Sequence, residues 1–299
     1  MLLEDPQLHG KSKLAVELAK TINGEIISAD SMQIYKDMNI GTAKVTLEEM
    51  QGIKHHMIDF VEPSKRYSVS SYKIEAEKAI EEVLAKGKIP IVVGGTGLYI
   101  DSLIYGIEFQ EEEIDEEYRN KLNEIAKKDG LKKLYEKACL IDAKAMEKIS
   151  PNDAKRIIRV LEIYHKTGKT KTEQEIESRK NEVKYNYHVF AINMDRQILY
   201  EKINKRVNYM IEQGLIEEVK GILKKYKNFP TAMQGLGYKE VIEYLENKIT
   251  KEEMIEKIKQ ETRHYAKRQL TWFRKNKQTI WLDGQDSLDK NVNLIIENM

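Results

Sequence analysis

The sequence is short of several things, and each shortage excludes something. A single cysteine, Cys139, stands in 299 residues. That rules out an intramolecular disulfide and any zinc site built on cysteine pairs, and it fits a reducing compartment. No apolar run approaches the roughly 20 residues that a membrane span needs. The opening Met1-Leu2-Leu3-Glu4-Asp5 has neither the basic region nor the long apolar core of a signal peptide. The expectation is a cytoplasmic protein with no membrane partner. Net charge is scarce too: 50 Lys and Arg against 49 Asp and Glu leave +1. A nucleic-acid partner is therefore not announced by bulk charge and must be argued from local basic stripes.

What is present is globular: 41% apolar and 33% charged residues, in a chain long enough to bury a sizeable core. Brief apolar runs at Glu25–Ala29, Ile89–Val93, Val189–Ile192 and Thr279–Leu282 read as strands of a parallel sheet covered on both faces. Between the first two, Tyr72 to Leu84 has helical periodicity and closes at Gly87. The alternation predicts an α/β core whose ligands sit beyond the carboxyl ends of the strands. From Glu111 to about Arg179 strand signals vanish, which predicts a helical insertion at 111–181 within a core formed by 1–110 and 182–299. Inside it, Ser150-Pro151-Asn152-Asp153 reads as a helix start with Ser150 as the N-cap. There is no internal repeat and no low-complexity tract.

His9-Gly10-Lys11-Ser12 resembles the end of a phosphate-binding loop. Amides at a helix N-terminus bind phosphate oxygens, Lys11 adds a point charge, and the Ser12 hydroxyl can ligate magnesium. The loop's first glycine is replaced by Asp5, and only Leu2 and Leu3 are available for the strand before it. A chance Gly-Lys-Ser at a helix start gives the same residues.

Three further segments are ambiguous one at a time. Ser28-Ala29-Asp30-Ser31-Met32-Gln33 follows a strand, where Asp30 can be a catalytic acid or a turn cap. His55 and His56 lack a third ligand at metal spacing and read as structural. Gly94-Gly95-Thr96-Gly97 allows a backbone to approach a ligand closely, or makes a plain turn from strand to helix.

Taken in order, these segments resemble the tRNA dimethylallyltransferase (tRNA isopentenyltransferase) family. The likeness continues through Asp153-Ala154-Lys155-Arg156-Ile157-Ile158-Arg159, Gly235-Leu236-Gly237-Tyr238-Lys239-Glu240 and Thr262-Arg263-His264-Tyr265-Ala266-Lys267-Arg268-Gln269. The resemblance implies an ATP-binding-type P-loop core plus the helical insertion. It also implies a monomer of bacterial type, since the family's eukaryotic zinc-finger extension is missing. The implied reaction moves a dimethylallyl group from dimethylallyl diphosphate to the N6 amine of the adenine beside the anticodon in tRNA. Its implied residues are Asp30 as general base and Thr96 as the residue that orients base and donor. Gly10, Lys11 and Ser12 would hold the diphosphate, with Arg206 as a further cation and Mg2+ at Ser12. Asp30, Ser31, Met32 and Gln33, with Lys155, Arg156, Ile157, Ile158 and Arg159, match the family's RNA-contact segments.

Independently, at about 100° per residue Arg263, Lys267, Arg274 and Lys277 share one side of the last long helix, opposite Tyr265 and Trp272. That is a phosphate-binding footprint on a neutral protein. The departure at Asp5 predicts weak donor binding and a poorly filled sheet position beside the second strand. Two other readings stay open: transfer to free adenine nucleotides, and an RNA-binding relic without catalysis.

Overall fold

A computed structural model of the chain describes residues 2–4, 10–109, 115–179 and 183–299. They form two compact units, one of residues 1–104 with 185–299 and the other of residues 105–184. In chain order the first unit opens with β1 Leu2–Glu4, α1 Gly10–Thr21, β2 Gly24–Ala29, α2 Leu47–Met50 and β3 His55–His56. It continues with α3 Val69–Ala85, β4 Ile89–Gly94 and α4 Gly97–Ile104. The second unit holds α5 Glu116–Asp129, α6 Lys132–Ile141, α7 Ala143–Met146, α8 Ala154–Thr167 and α9 Lys171–Glu177. The chain then returns through β5 Val189–Asn193, α10 Arg196–Glu212, α11 Leu215–Lys225, α12 Tyr238–Leu245, α13 Lys251–Phe273, β6 Ile280–Asp283 and α14 Leu288–Glu297.

The six strands pair in the order β3-β2-β4-β1-β5-β6, with every ladder parallel. Alternate side chains enter opposite cores, as the two-residue repeat of a strand requires. Ile26, Ile91, Phe190 and Leu282 pack with Leu14, Leu18 and Ile295 of α1 and α14. Their neighbours Ile27, Val92 and Val189 pack on the other face with Tyr72, Ile80, Ile100 and Phe273. α3 buries Tyr72, Ala76, Ala79, Ile80 and Val83, one stripe at helical spacing. Ser68 caps its start by accepting from the Ser71 amide, and Gly87 follows its end at φ +69°.

Two expectations are corrected here. β1 is short, yet its position is filled: Leu2–Glu4 pair with Val92–Gly94 on one side and Val189–Ala191 on the other. Its neighbours are β4 and β5, whereas β2 lies between β3 and β4. The N-cap of α8 is Asp153, whose Oδ1 accepts from the Arg156 amide, while Ser150 only accepts from the Asn152 amide in the turn before. A carboxylate placed directly ahead of the first helical residue reaches the free amides that a serine three residues earlier does not.

The helical unit has its own core, in which Leu122, Leu134, Met146, Ile157, Ile158 and Leu161 pack together. Glu162, 8% exposed, sits beside that core and receives two bonds from Arg119, at 2.5 and 2.8 Å.

Candidate active site

The carboxyl ends of β2 and β4 lie side by side and carry the polar residues of the site. Gly94 is what lets them meet, because a Cβ there would fall 2.2 Å from the Ala29 carbonyl oxygen. Thr96 then donates its amide to Ala29 O at 3.1 Å, and its Oγ1 accepts from the Ser31 amide at 2.9 Å and donates to Ser31 Oγ at 3.2 Å. One residue earlier, Asp30 Oδ1 accepts from the Met32 and Gln33 amides at 2.9 and 3.2 Å. The turn therefore ties down one carboxylate oxygen and leaves the other as the group the residue can offer a substrate.

The next glycines serve packing. A Cβ on Gly95 would sit 2.0 Å from Gln269 Nε2, and one on Gly97 would sit 2.5 Å from Trp272 Cδ1. Gln269 donates to Gly95 O at 2.7 Å, and Trp272 donates to Asp101 at 3.0 Å. At these two positions the backbone is approached closely by α13. Tyr265, on the same face of that helix, has its hydroxyl 3.4 Å from Gly95 O. Burial and the nearby Asp30 charge raise its ionisation well above the usual range, so it stays a neutral donor.

A shallow cleft opens beside this edge, and Ser12, Ser28, Asp30, Gln33, Val45 and His55 are among its lining residues. Three residues expected from sequence, Ser12 of α1, Asp30 and Gln33, thus share one wall. Thr96 is not in that lining, but it is bonded to Ser31 in the same turn. Gly10 begins α1 and Lys11 follows it, while Asp5 to His9 lie outside the described residues, and with them the expectation attached to Asp5. Arg206 is half-buried on α10 and does not line the cleft.

His55, read from the sequence as structural, also lines the cleft. Its Nδ1 donates to Ile53 O at 2.9 Å, which leaves Nε2 as an acceptor, and burial holds the ring below its usual pKa against that bond. Its neighbour His56 turns instead to Glu25, at 2.7 Å. The adjacent pair in the sequence was the available signal, and the two-residue strand β3 sends the two rings to opposite tasks. Among the described residues no group of three or more His, Cys, Asp or Glu could hold a metal ion.

Two further expectations are corrected. Ile157 and Ile158 are 0% and 5% exposed inside the helical core, so their side chains are not RNA contacts. Lys155, Arg156 and Arg159 are exposed on the same helix, with Arg156 3.3 Å from Asp153 and Arg159 3.9 Å from Glu162. The basic stripe of α13 is narrower than its periodicity suggested. Arg263 is half-buried and donates to Asn204 at 2.7 Å, and Lys277 falls beyond the helix end at Phe273.

A family model described as IPP transferase matches residues 33–276. The chain belongs to this family. Among its relatives, the tRNA dimethylallyltransferase of Acetivibrio thermocellus is 49% identical over 296 residues, 99% of this chain and 94% of the relative. That of Thermoanaerobacter sp. is 52% identical over 277 residues, 92% of this chain and 88% of the relative. The family's solved structures include the full-length tRNA isopentenylpyrophosphate transferase of Bacillus halodurans. That structure is 40% identical and superimposes with a TM-score of 0.73 over 99% of this chain and 94% of its own. A eukaryotic dimethylallyltransferase solved acting on tRNA is 32% identical, with a TM-score of 0.78 over 98% of this chain and 76% of its own. The parallel sheet covered by helices is the shared architecture of the family. Among the described residues no helix is long and apolar enough to cross a membrane.

Proposed function

We propose that this chain is a cytoplasmic, monomeric enzyme that transfers a dimethylallyl group from dimethylallyl diphosphate to N6 of the adenine beside the anticodon in tRNA. The observation that carries this reading is Asp30. It stands at the carboxyl end of β2 in a cleft shared with Ser12, in a chain about half identical to tRNA dimethylallyltransferases. The N6 lone pair attacks C1 of the donor, the C1–oxygen bond breaks, and diphosphate departs with the bonding electrons. The amine is a poor nucleophile because its lone pair is delocalised into the ring, so a base must take its proton as the new bond forms. The free oxygen of Asp30 suits that task, and Thr96 orients the acceptor from the neighbouring turn.

The leaving group calls for fixed positive charge. The amides opening α1 at Gly10, the Lys11 ammonium and Arg206 are the groups assigned to it. A magnesium ion would be held by the Ser12 hydroxyl, a hard oxygen donor on the cleft wall. Bound there, it would neutralise charge on the diphosphate. An adenine stacked in an anticodon arm must be flipped out before it reaches such a cleft, at a cost of a few kcal/mol. Asp30 to Gln33 would receive it, while Lys155, Arg156 and Arg159 would hold backbone phosphates.

The test is incubation with labelled dimethylallyl diphosphate and unmodified tRNA, with AMP as the competing acceptor. Label in an N6-prenylated adenosine of the tRNA supports the reading, and label in AMP alone overturns it. Neutralising Lys155, Arg156 and Arg159 together should lower the slope of log affinity for tRNA against log salt by about 2 to 3, with donor affinity unchanged. An unchanged slope removes α8 from the interface.

A further inference from the structure

The motif Gly235-Leu236-Gly237-Tyr238-Lys239-Glu240 is not part of the cleft lining, yet it packs against the loop that follows Asp30. A Cβ on Gly235 would lie 2.8 Å from Met32 Sδ, and a Cβ on Gly41 would lie 2.5 Å from the Tyr238 ring. The link between the two is a carboxylate on α11. Glu218 Oε2 accepts from the Asn39 and Ile40 amides at 2.9 and 2.7 Å, and Oε1 accepts from the Gly41 amide at 3.1 Å and the Tyr238 hydroxyl at 2.7 Å. Four donors use the acceptor capacity of one carboxylate. Tyr238 is fully buried, and burial beside the Glu218 charge raises its ionisation well above the usual range, so it is a permanent donor.

The loop so held reaches the cleft. Gln33 Nε2 donates to the Thr42 and Ala43 carbonyls at 3.1 and 3.3 Å, and Gln33 and Val45 both line the cleft wall. Thr42 is tied back to Met38 O at 2.7 Å, and Lys44 bridges Tyr35 O and Asp59 at 2.6 and 2.5 Å. The amide nitrogen of Gln33 is thereby committed to the loop, and its oxygen is the end available to a substrate.

We propose that Glu218 and Tyr238 are positioning residues. By gripping amides 39–41 they fix the loop on which Gln33 hangs, and so set how the cleft receives the acceptor base. The proposal rests on the assignment of tRNA as acceptor, and its test separates the two. In Glu218→Gln, one carboxylate oxygen becomes an NH2 that faces donors. Tyr238→Phe keeps the ring against Gly41 and removes the hydroxyl's bond to Glu218.

In side-chain NMR of Gln33, which needs no substrate, Glu218→Gln should speed exchange of the amide protons about 10-fold, the scale of a lost charge-assisted bond, and Tyr238→Phe less. In kinetics, Glu218→Gln should raise KM for tRNA about 10-fold and Tyr238→Phe about 3-fold, with donor affinity close to the parent. Unchanged Gln33 exchange in both variants overturns the proposal, as does equal weakening of donor and tRNA. If Gln33 responds but the parent fails to prenylate tRNA, the brace stands and the assigned acceptor falls.

Discussion

β2 carries one carboxylate near its start, Glu25, and another just past its end, Asp30, and the fold handles them in opposite ways. Glu25 is 3% exposed and surrounded by hydrogen-bond partners: the His56 ring at 2.7 Å and the ammonium groups of Lys88 at 2.9 Å and Lys86 at 3.0 Å. Burial alone would raise its pKa, but these three partners together hold it down to about 2. Asp30 is half-buried and has only backbone amides on one oxygen. A buried carboxylate bound on both oxygens by two lysines and a histidine holds structure together and is closed to a substrate. One that keeps an oxygen free at the rim of a cleft can take a proton from a substrate.

The contrast breaks most sharply at Asp30. Asp30→Asn should lower the prenyl-transfer rate by about 10²-fold or more with melting temperature and tRNA affinity nearly unchanged. Turnover within a factor of two of the parent would mean that Asp30 is not the base. Glu25→Gln should do the reverse, leaving the rate per folded molecule alone and lowering stability by about 2 kcal/mol. That is less than a fully buried pair costs, because the two lysines keep 41% and 35% of their side chains in solvent. A melting curve with an active-site titration measures both at once.

The finest cut is by pH. Since the folded Glu25 carboxyl lies near 2, below its ordinary value of 4.5, its stabilisation is complete above 4.5 and is lost as pH falls toward 2. The gap in melting temperature between the parent and Glu25→Gln should therefore narrow steadily below about pH 4.5. A gap that stays constant down to about pH 3 would show that Glu25 acts through shape and not charge.

Sequence periodicity made β2, β4, β5 and β6 legible to within a residue or two, because each carries a brief apolar run flanked by a turn or a charged residue. β1 and β3 escaped it. With three and two residues they have no period to read, and only the ladders of their neighbours define them. Asp30, Gln33 and Ser12 were marked by position after a strand or at a helix start, and they meet in one cleft. Ile157 and Ile158 were marked by motif alone. Their place on the buried side of α8 follows from its amphipathic spacing, which argues against contact with a polar ligand. His55 and the grip of Glu218 on residues 39–41 depend on contacts between segments far apart in sequence, which no local pattern encodes.

The strand order gives β1 a role out of proportion to its length. β3-β2-β4 forms one half-sheet and β5-β6 the other, and among the described residues Leu2–Glu4 join them. During synthesis Leu2 leaves the ribosome long before its partner Val189, with the whole helical unit emerging in between. Until β5 arrives, β1 is an unpaired edge, a template for pairing with other chains. Completion of the sheet is therefore a late, long-range event of the kind that slows folding, and the nascent chain is most exposed to aggregation while the helical unit is being made.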